Sequence, residues 1–416
     1  MRHSWGRMTA TILAGMLLCG CTAKPASTAS VTPVFPAAVT LTSSAGLQAT
    51  GITIGVLTGP FDGEGSDYRE MASGACVAAF RFGLGGLTVT LTTVADDGTL
   101  AGTASSMQTL IDAGVAGVVV ADAGPHLQDA ISEAVAANIP TLLPYDYSVP
   151  ATAPAYHTGP DASMVGGALK AAAAAAGMAP IAVVQPGYET VAAWTQTTQW
   201  DGDAGSTAQA VVQAVSDGQA DEVVIEAPAI TQAALVSQLQ VQLGNQQLPI
   251  ILTPQALTPT FNDGLTQTGA APVALMTIGQ NTSDAVALQP DTNGDAMSAY
   301  LQSVRMAADS PTTTNVFGDN SFASASGGAD TASHDAVVTL VRAAEKAGST
   351  NPSAIASALA ALSLTQSDGL AGNPLNFNSK TPLDPNAVVT LFASSQNAGL
   401  RPAGSDTALT WVPMST

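Results

Sequence analysis

A regular exchange of two hydrophobic periods from residue 51 onward constrains this chain more than any other feature. Short apolar runs at 52–57, 87–94, 115–120 and 141–143 alternate with stretches of helical apolar spacing at 69–82, 105–113, 127–137 and 163–176. The rhythm continues with runs at 181–184, 222–225 and 250–252 and a helical stretch at 231–243. The run Val115-Ala116-Gly117-Val118-Val119-Val120 has no polar face, as a strand covered on both sides requires. Strands alternating with helices of about ten to fifteen residues imply βαβ units in a parallel sheet. They are too many for one sheet, and 416 residues exceed one ordinary core. Two open α/β lobes with parallel sheets are predicted, with any ligand bound beyond the carboxyl ends of the strands.

Composition removes several classes of function. A chain that is 46% hydrophobic and 10% charged is not a highly charged disordered one. With 11 Lys and Arg against 31 Asp and Glu, the formal charge is -20, which repels a phosphate backbone and excludes nucleic acid as a partner. Catalytic signatures are missing: the sequence holds no G-x-S-x-G elbow, H-E-x-x-H pair or P-loop. Gly83-Leu84-Gly85-Gly86 precedes a strand rather than a helix and reads as a turn. His126, His157 and His334 stand far apart, without metal-ligand spacing on a helix. Asp291-Thr292-Asn293-Gly294-Asp295 opens like a calcium loop, but Ala296 and Gln302 stand where that loop needs Gly and Glu, so it reads as a helix cap. No enzyme activity, cofactor or metal is expected.

The first twenty residues read as an export signal. Arg2 and Arg7 precede an apolar stretch over 8–18 that is too short to span a bilayer. Leu18-Cys19-Gly20-Cys21 resembles the bacterial lipoprotein box, which implies cleavage after Gly20 and lipid on Cys21; the alternative is a plain secreted protein. Residues 21–50 are rich in Ala, Ser, Thr and Pro with Lys24 as their one charge, and they read as a flexible tether. That leaves Cys76 as a lone thiol inside an apolar helical pattern, a small core residue rather than a nucleophile.

Five segments resemble the type I periplasmic ligand-binding proteins of the branched-chain amino-acid-binding type. They are Ile54-Gly55-Val56-Leu57-Thr58-Gly59-Pro60-Phe61, Asn138-Ile139-Pro140-Thr141-Leu142-Leu143-Pro144, Gly159-Pro160-Asp161, His334-Asp335-Ala336-Val337 running through Glu345-Lys346-Ala347-Gly348, and Gly372-Asn373-Pro374-Leu375-Asn376-Phe377. The resemblance implies two Rossmann-like lobes with parallel sheets, three hinge crossings and a ligand cleft between the lobes. Carried over, lobe one spans 51–157 plus 281–367 and lobe two spans 158–280 plus 368–416.

The same resemblance places the cleft residues. After the third strand of lobe one, Asp122, Gly124 and Pro125 stand where the family holds a ligand carboxylate with Ser hydroxyls and amides. Gly124 brings no hydroxyl and Pro125 no N–H, though Asp122 as a cap and Pro125 as a first helical residue explain them equally well. Asp146-Tyr147 replaces an Ala-Thr pair. Glu64 sits in the first cleft loop, and Tyr145 and Tyr147 edge a ligand or pack under the hinge. Tyr188 faces the cleft from lobe two, and Gln255 stands where the family often has an acid for the ligand ammonium. These departures favour a cationic or neutral ligand over leucine, isoleucine or valine. The resemblance implies a monomeric solute-binding lipoprotein on the outer face of the bacterial cell membrane. It would capture a small polar solute by lobe closure and pass it to an ABC permease. The alternative is a regulatory or scaffolding envelope lipoprotein that kept the fold without transport.

Overall fold

A computed structural model describes residues 37–63, 65–176, 179–185, 192–244, 246–379, 381–402 and 409–413. The first sheet has the order β2-β1-β3-β4-β5, all pairs parallel, from β1 (Ile52–Thr58), β2 (Val89–Ala95), β3 (Val118–Ala121), β4 (Thr141–Leu143) and β5 (Ala155–His157). Its β-branched strands alternate their side chains between two cores. Val119 and Ala121 enter one and Val118 and Val120 the other, because successive Cβ atoms leave a strand on opposite sides. Helices therefore cover both faces of the sheet.

The second sheet holds β6 (Pro180–Val184), β7 (Thr197–Gln199), β8 (Glu222–Glu226), β9 (Ile250–Leu252) and β10 (Leu275–Gln280). A short ribbon of β11 (Ser363–Leu364) and β12 (Leu375–Asn376) intervenes in the chain before β13 (Val388–Ser394) and β14 (Thr410–Pro413) complete the second sheet in the order β14-β13-β10-β9-β8-β6-β7. The parallel core of both sheets is as predicted, and the second sheet gains an antiparallel edge: β13 runs antiparallel to β10, and β14 antiparallel to β13. Antiparallel edge strands are a common addition to parallel sheets, since they need no crossover helix. The faces alternate again, with Val223 and Ile225 in one core and Val224 in the other.

Among the described residues three passages join the sheets. The first runs through Thr158 to Asp161. Gly159 approaches the turn after β4 so closely that a Cβ there would lie 2.2 Å from the Pro144 carbonyl oxygen. Asp161 then accepts the Met164 N–H at 2.9 Å at the start of helix Ala162–Ala176, which is why this segment reads Gly-Pro-Asp. The second follows β10. The third lies later than residue 368, because Leu370, Ala371, Leu375, Phe377 and Leu383 are buried in the first lobe's core and keep the chain there until just before β13.

The tether is also shorter than its composition suggests. Residues 37–50 form a strap on the first lobe, with Leu41 and Leu47 buried and a helix at Ala45–Thr50. Gly85 admits the strap: a Cβ there would meet the Leu41 carbonyl oxygen at 2.0 Å. The buried guanidinium of Arg81 donates to the Ala38 and Val39 carbonyls at 3.0 and 2.9 Å. Residues 1–36, with Cys21 and the export signal, lie outside the described residues.

Candidate functional site

The turns that follow β4 and β9 meet at a cavity of about 260 Å³ between the lobes. Tyr145 and Tyr147 line it from the first turn and Gln255 from the second, joined by Tyr68, Leu257, Asp330 and Trp411. Tyr68 opens the short helix Tyr68–Met71 that follows the loop after β1, and its hydroxyl donates to Gln255 Oε1 at 2.8 Å, a direct bond from lobe to lobe. A second bridge runs from the Thr260 N–H to Asp67 Oδ2 at 3.3 Å. Tyr68 and Tyr145 pack their rings with centroids 5.2 Å apart. Burial pushes the Tyr147 phenol above its ordinary range, while hydrogen bonds with Thr253 and Gln255 act the other way.

The ionisable groups of this wall are already matched. Tyr145 donates to Asp330 Oδ1 at 2.6 Å, and burial pushes the Asp330 carboxyl up to about 6 against the hydrogen bonds from Tyr145 and Ser333. Asp330 also caps helix Thr331–Ala347 through the Ser333 N–H. Arg401 forms a bidentate pair with Asp284 and donates to the Ser326, Gly327 and Ala329 carbonyls. Among the described lining residues no cation is left for a ligand carboxylate. The surface is aromatic, proline-rich and aliphatic, set with amide and hydroxyl groups, so it suits an uncharged solute with an apolar body.

The fold has clear counterparts among solved structures, although no family model matches the chain and a search of curated proteins returns no match. A periplasmic binding protein type 1 from Bordetella pertussis Tohama I superimposes with a TM-score of 0.62 at 15% identity, over 88% of this chain and 100% of its own. The branched-chain amino acid transporter substrate-binding protein LivJ from Streptococcus pneumoniae, solved with isoleucine, gives 0.61 at 15% identity over the same shares. An extracellular ligand-binding receptor from Rhodopseudomonas palustris HaA2 gives 0.64 at 13% identity over 88% of this chain and 99% of its own. The fold is that of the type I periplasmic binding proteins. The counterparts are binding proteins rather than enzymes, in line with the missing catalytic motifs.

Within this periplasmic-binding-protein fold the sequence-derived site residues separate into two groups. Tyr145, Tyr147 and Gln255 come together on the cavity wall. Asp122, Gly124, Pro125 and Asp146 are not among its lining residues; the first three follow β3 and Asp146 follows β4. The Asp146 carboxylate accepts from the Gly124 and Val149 N–H groups and the Ser148 hydroxyl, which turns it inward. Asp122 is fully buried and pairs with His126 at 2.7 Å. Burial pushes the Asp122 carboxyl up to about 7. It would push His126 down, but the Asp122 and Asp96 carboxylates hold the imidazole up at about 10. In this arrangement the Asp146 carboxylate is engaged by its neighbouring turn and the Asp122 carboxylate by His126. Glu64 and Tyr188 lie outside the described residues.

Sequence reasoning missed Tyr68, Asp330, Asp284 and Arg401. Asp330 carried a readable signal, an Asp placed as a helix cap three residues before Ser333. Arg401 carried none, because its partner Asp284 is 117 residues away.

Proposed function

We propose that the chain is an extracytoplasmic solute-binding lipoprotein that captures a small uncharged solute between its lobes and delivers it to an ABC permease. One observation carries this reading: the interlobe cavity is walled by Tyr68, Tyr145, Tyr147 and Gln255 while its described charges are internally paired. A ligand that touches both turns stabilises the closed arrangement, and lobe closure is the transport signal. Structures of this fold solved with isoleucine and with 4-hydroxybenzoate support a compact solute with an apolar body. In this reading lobe one is built on 51–157 and lobe two on 158–280 as their principal segments. Leucine, isoleucine and valine bind weakly or not at all, because their carboxylates lack a free cation among the described lining residues.

A thermal-shift screen of the purified protein against neutral amides, polyols, phenols and amino acids tests this. A true ligand at 100-fold excess over its dissociation constant adds about 2.7 kcal/mol of stability. Calorimetry should then show the affinity falling at least about tenfold in Gln255→Ala. Micromolar leucine binding that survives Gln255→Ala would sink the assignment. The direct Tyr68–Gln255 and Asp67–Thr260 bonds favour one second reading, an envelope lipoprotein that kept the fold for regulation or scaffolding. No response to any solute class would select it.

Anchoring belongs to the same proposal. Signal cleavage after Gly20 leaves Cys21 to carry lipid on the outer face of the membrane. No described helix is long and apolar enough to cross one. Expressed in its host, the protein should partition into detergent, and Cys21→Ala should stay in the aqueous phase with the lipid mass missing. Identical partitioning and identical mass for both forms would refute the anchor.

A further inference from the structure

We propose that Asp96, Asp122 and His126 form a binding site for a first-row divalent cation, with Zn2+ as the probe ion. Asp96 follows β2 and Asp122 follows β3, the two strands that flank β1, so both carboxylates stand at the same end of the sheet. His126 lies in the 3-10 turn Pro125–Leu127 just beyond, where Gly124 clears its path: a Cβ at Gly124, whose φ is 140°, would sit 2.9 Å from His126 Nδ1. One donor atom from each of the three residues falls within 4.8 Å of the other two. His126 Nε2 is 3.5 Å from Asp96 Oδ2 and 2.7 Å from Asp122 Oδ2. Ligand atoms bound to a tetrahedral Zn2+ at about 2.1 Å stand about 3.4 Å apart. The Asp96 spacing already matches, and Asp122 needs only a small side-chain rotation.

The surroundings are those of supported ligands. Asp96 Oδ1 is tied by the Gly98 N–H at 2.9 Å and Asp122 Oδ1 by the Ala123 N–H at 2.8 Å, which leaves each Oδ2 aimed at the imidazole. The Thr103 hydroxyl steadies Asp96 Oδ2 from 3.2 Å. Both carboxylates are buried, and among the described residues neither pairs with Lys or Arg. A divalent cation balances two carboxylates, whereas an imidazolium alone balances one. One imidazole and two carboxylates suit Zn2+, Mn2+ or Fe2+ more than Ca2+. His126 keeps 18% of its side chain exposed, which gives an ion a way in and a water a place to complete the shell.

The test uses the whole protein stripped with a chelator and titrated with Zn2+ against a chromophoric competitor. Wild type should take up about one equivalent with micromolar or tighter affinity, with His126→Gln and Asp96→Asn each weakening it by about tenfold or more. Asp129→Asn, an exposed change one turn further along, should leave affinity unchanged and so exclude diffuse binding to the acidic surface. X-ray absorption on Zn2+-loaded wild type should show a single imidazole with oxygen donors, a readout that no variant's folding can blur. No uptake by wild type, a spectrum without imidazole, or equal affinity in His126→Gln overturns the proposal and leaves a closed Asp-His-Asp ion network.

Discussion

Asp335→Ala should lower the free energy of unfolding by about 3–5 kcal/mol, as removal of one partner of a buried polar network does. The Asp335 carboxylate accepts from the Ala371 and Gly372 N–H groups at 2.8 and 2.7 Å and from His334 Nδ1 at 2.7 Å. His334 Nε2 lies 2.9 Å from Arg81 Nη1, and a guanidinium can only donate. Nε2 therefore accepts, and the proton sits on Nδ1, facing Asp335. Burial holds this imidazole below its ordinary pKa, Arg81 adds to that, and Asp335 opposes it, so it is neutral here. Without the carboxylate, two backbone N–H groups and the imidazole lose their acceptor inside the first lobe. Arg81 in turn carries the strap at Ala38 and Val39 and the Gly369 carbonyl. Urea unfolding at pH 7 measures the loss, and Asp335→Asn should recover part of it because its amide oxygen still accepts one of these bonds. A loss below about 1 kcal/mol for Asp335→Ala would mean that solvent replaces the carboxylate at little cost.

Glu222→Gln should have the opposite sign, and its effect should depend on pH. Glu222 opens β8 with no exposed surface, and neither carboxylate oxygen has a hydrogen-bond partner among the described residues. Burial, and then the neighbouring Asp221 charge, push its carboxyl up to about 7. A carboxyl raised on folding prefers its proton in the folded state. Its ionisation therefore costs nothing below the unfolded pKa near 4.5, costs more as pH rises, and reaches its full value above about 7. The stability advantage of Glu222→Gln over wild type should grow by about 3 kcal/mol between pH 4.5 and 8. That growth is independent of how well the new amide is satisfied, because an amide does not titrate. Denaturation curves for both proteins across this range decide it, and a constant difference would show that the carboxylate stays ionised in the fold.

Most of the architecture was legible because buried parallel strands announce themselves. The runs at 52–57, 115–120 and 250–252 are apolar on both faces, and β1, β3 and β9 form there. A short polar edge strand does not. Thr197–Gln199 is polar throughout and half exposed, so β7 leaves no hydrophobic trace. The strap at 37–50 looked like linker because Ala, Ser, Thr and Pro say little about packing; Leu41 and Leu47 become core residues only against Arg81, Gly85 and Glu345.

By itself, the sequence determined the alternation of strand and helix, the two-lobed plan and the two turns that hold Tyr145, Tyr147 and Gln255. Those features depend on residues close along the chain, where periodicity and turn chemistry act. Only the tertiary structure decided what the side chains face. The Asp146 carboxylate meets the Gly124 and Val149 amides, and the Asp122 carboxylate meets the His126 ring. Asp96 joins Asp122 and His126 because β2 and β3 both pair with β1. Tyr68 reaches Gln255 across 187 residues of sequence. Contacts of that span follow from lobe packing, which no local pattern encodes.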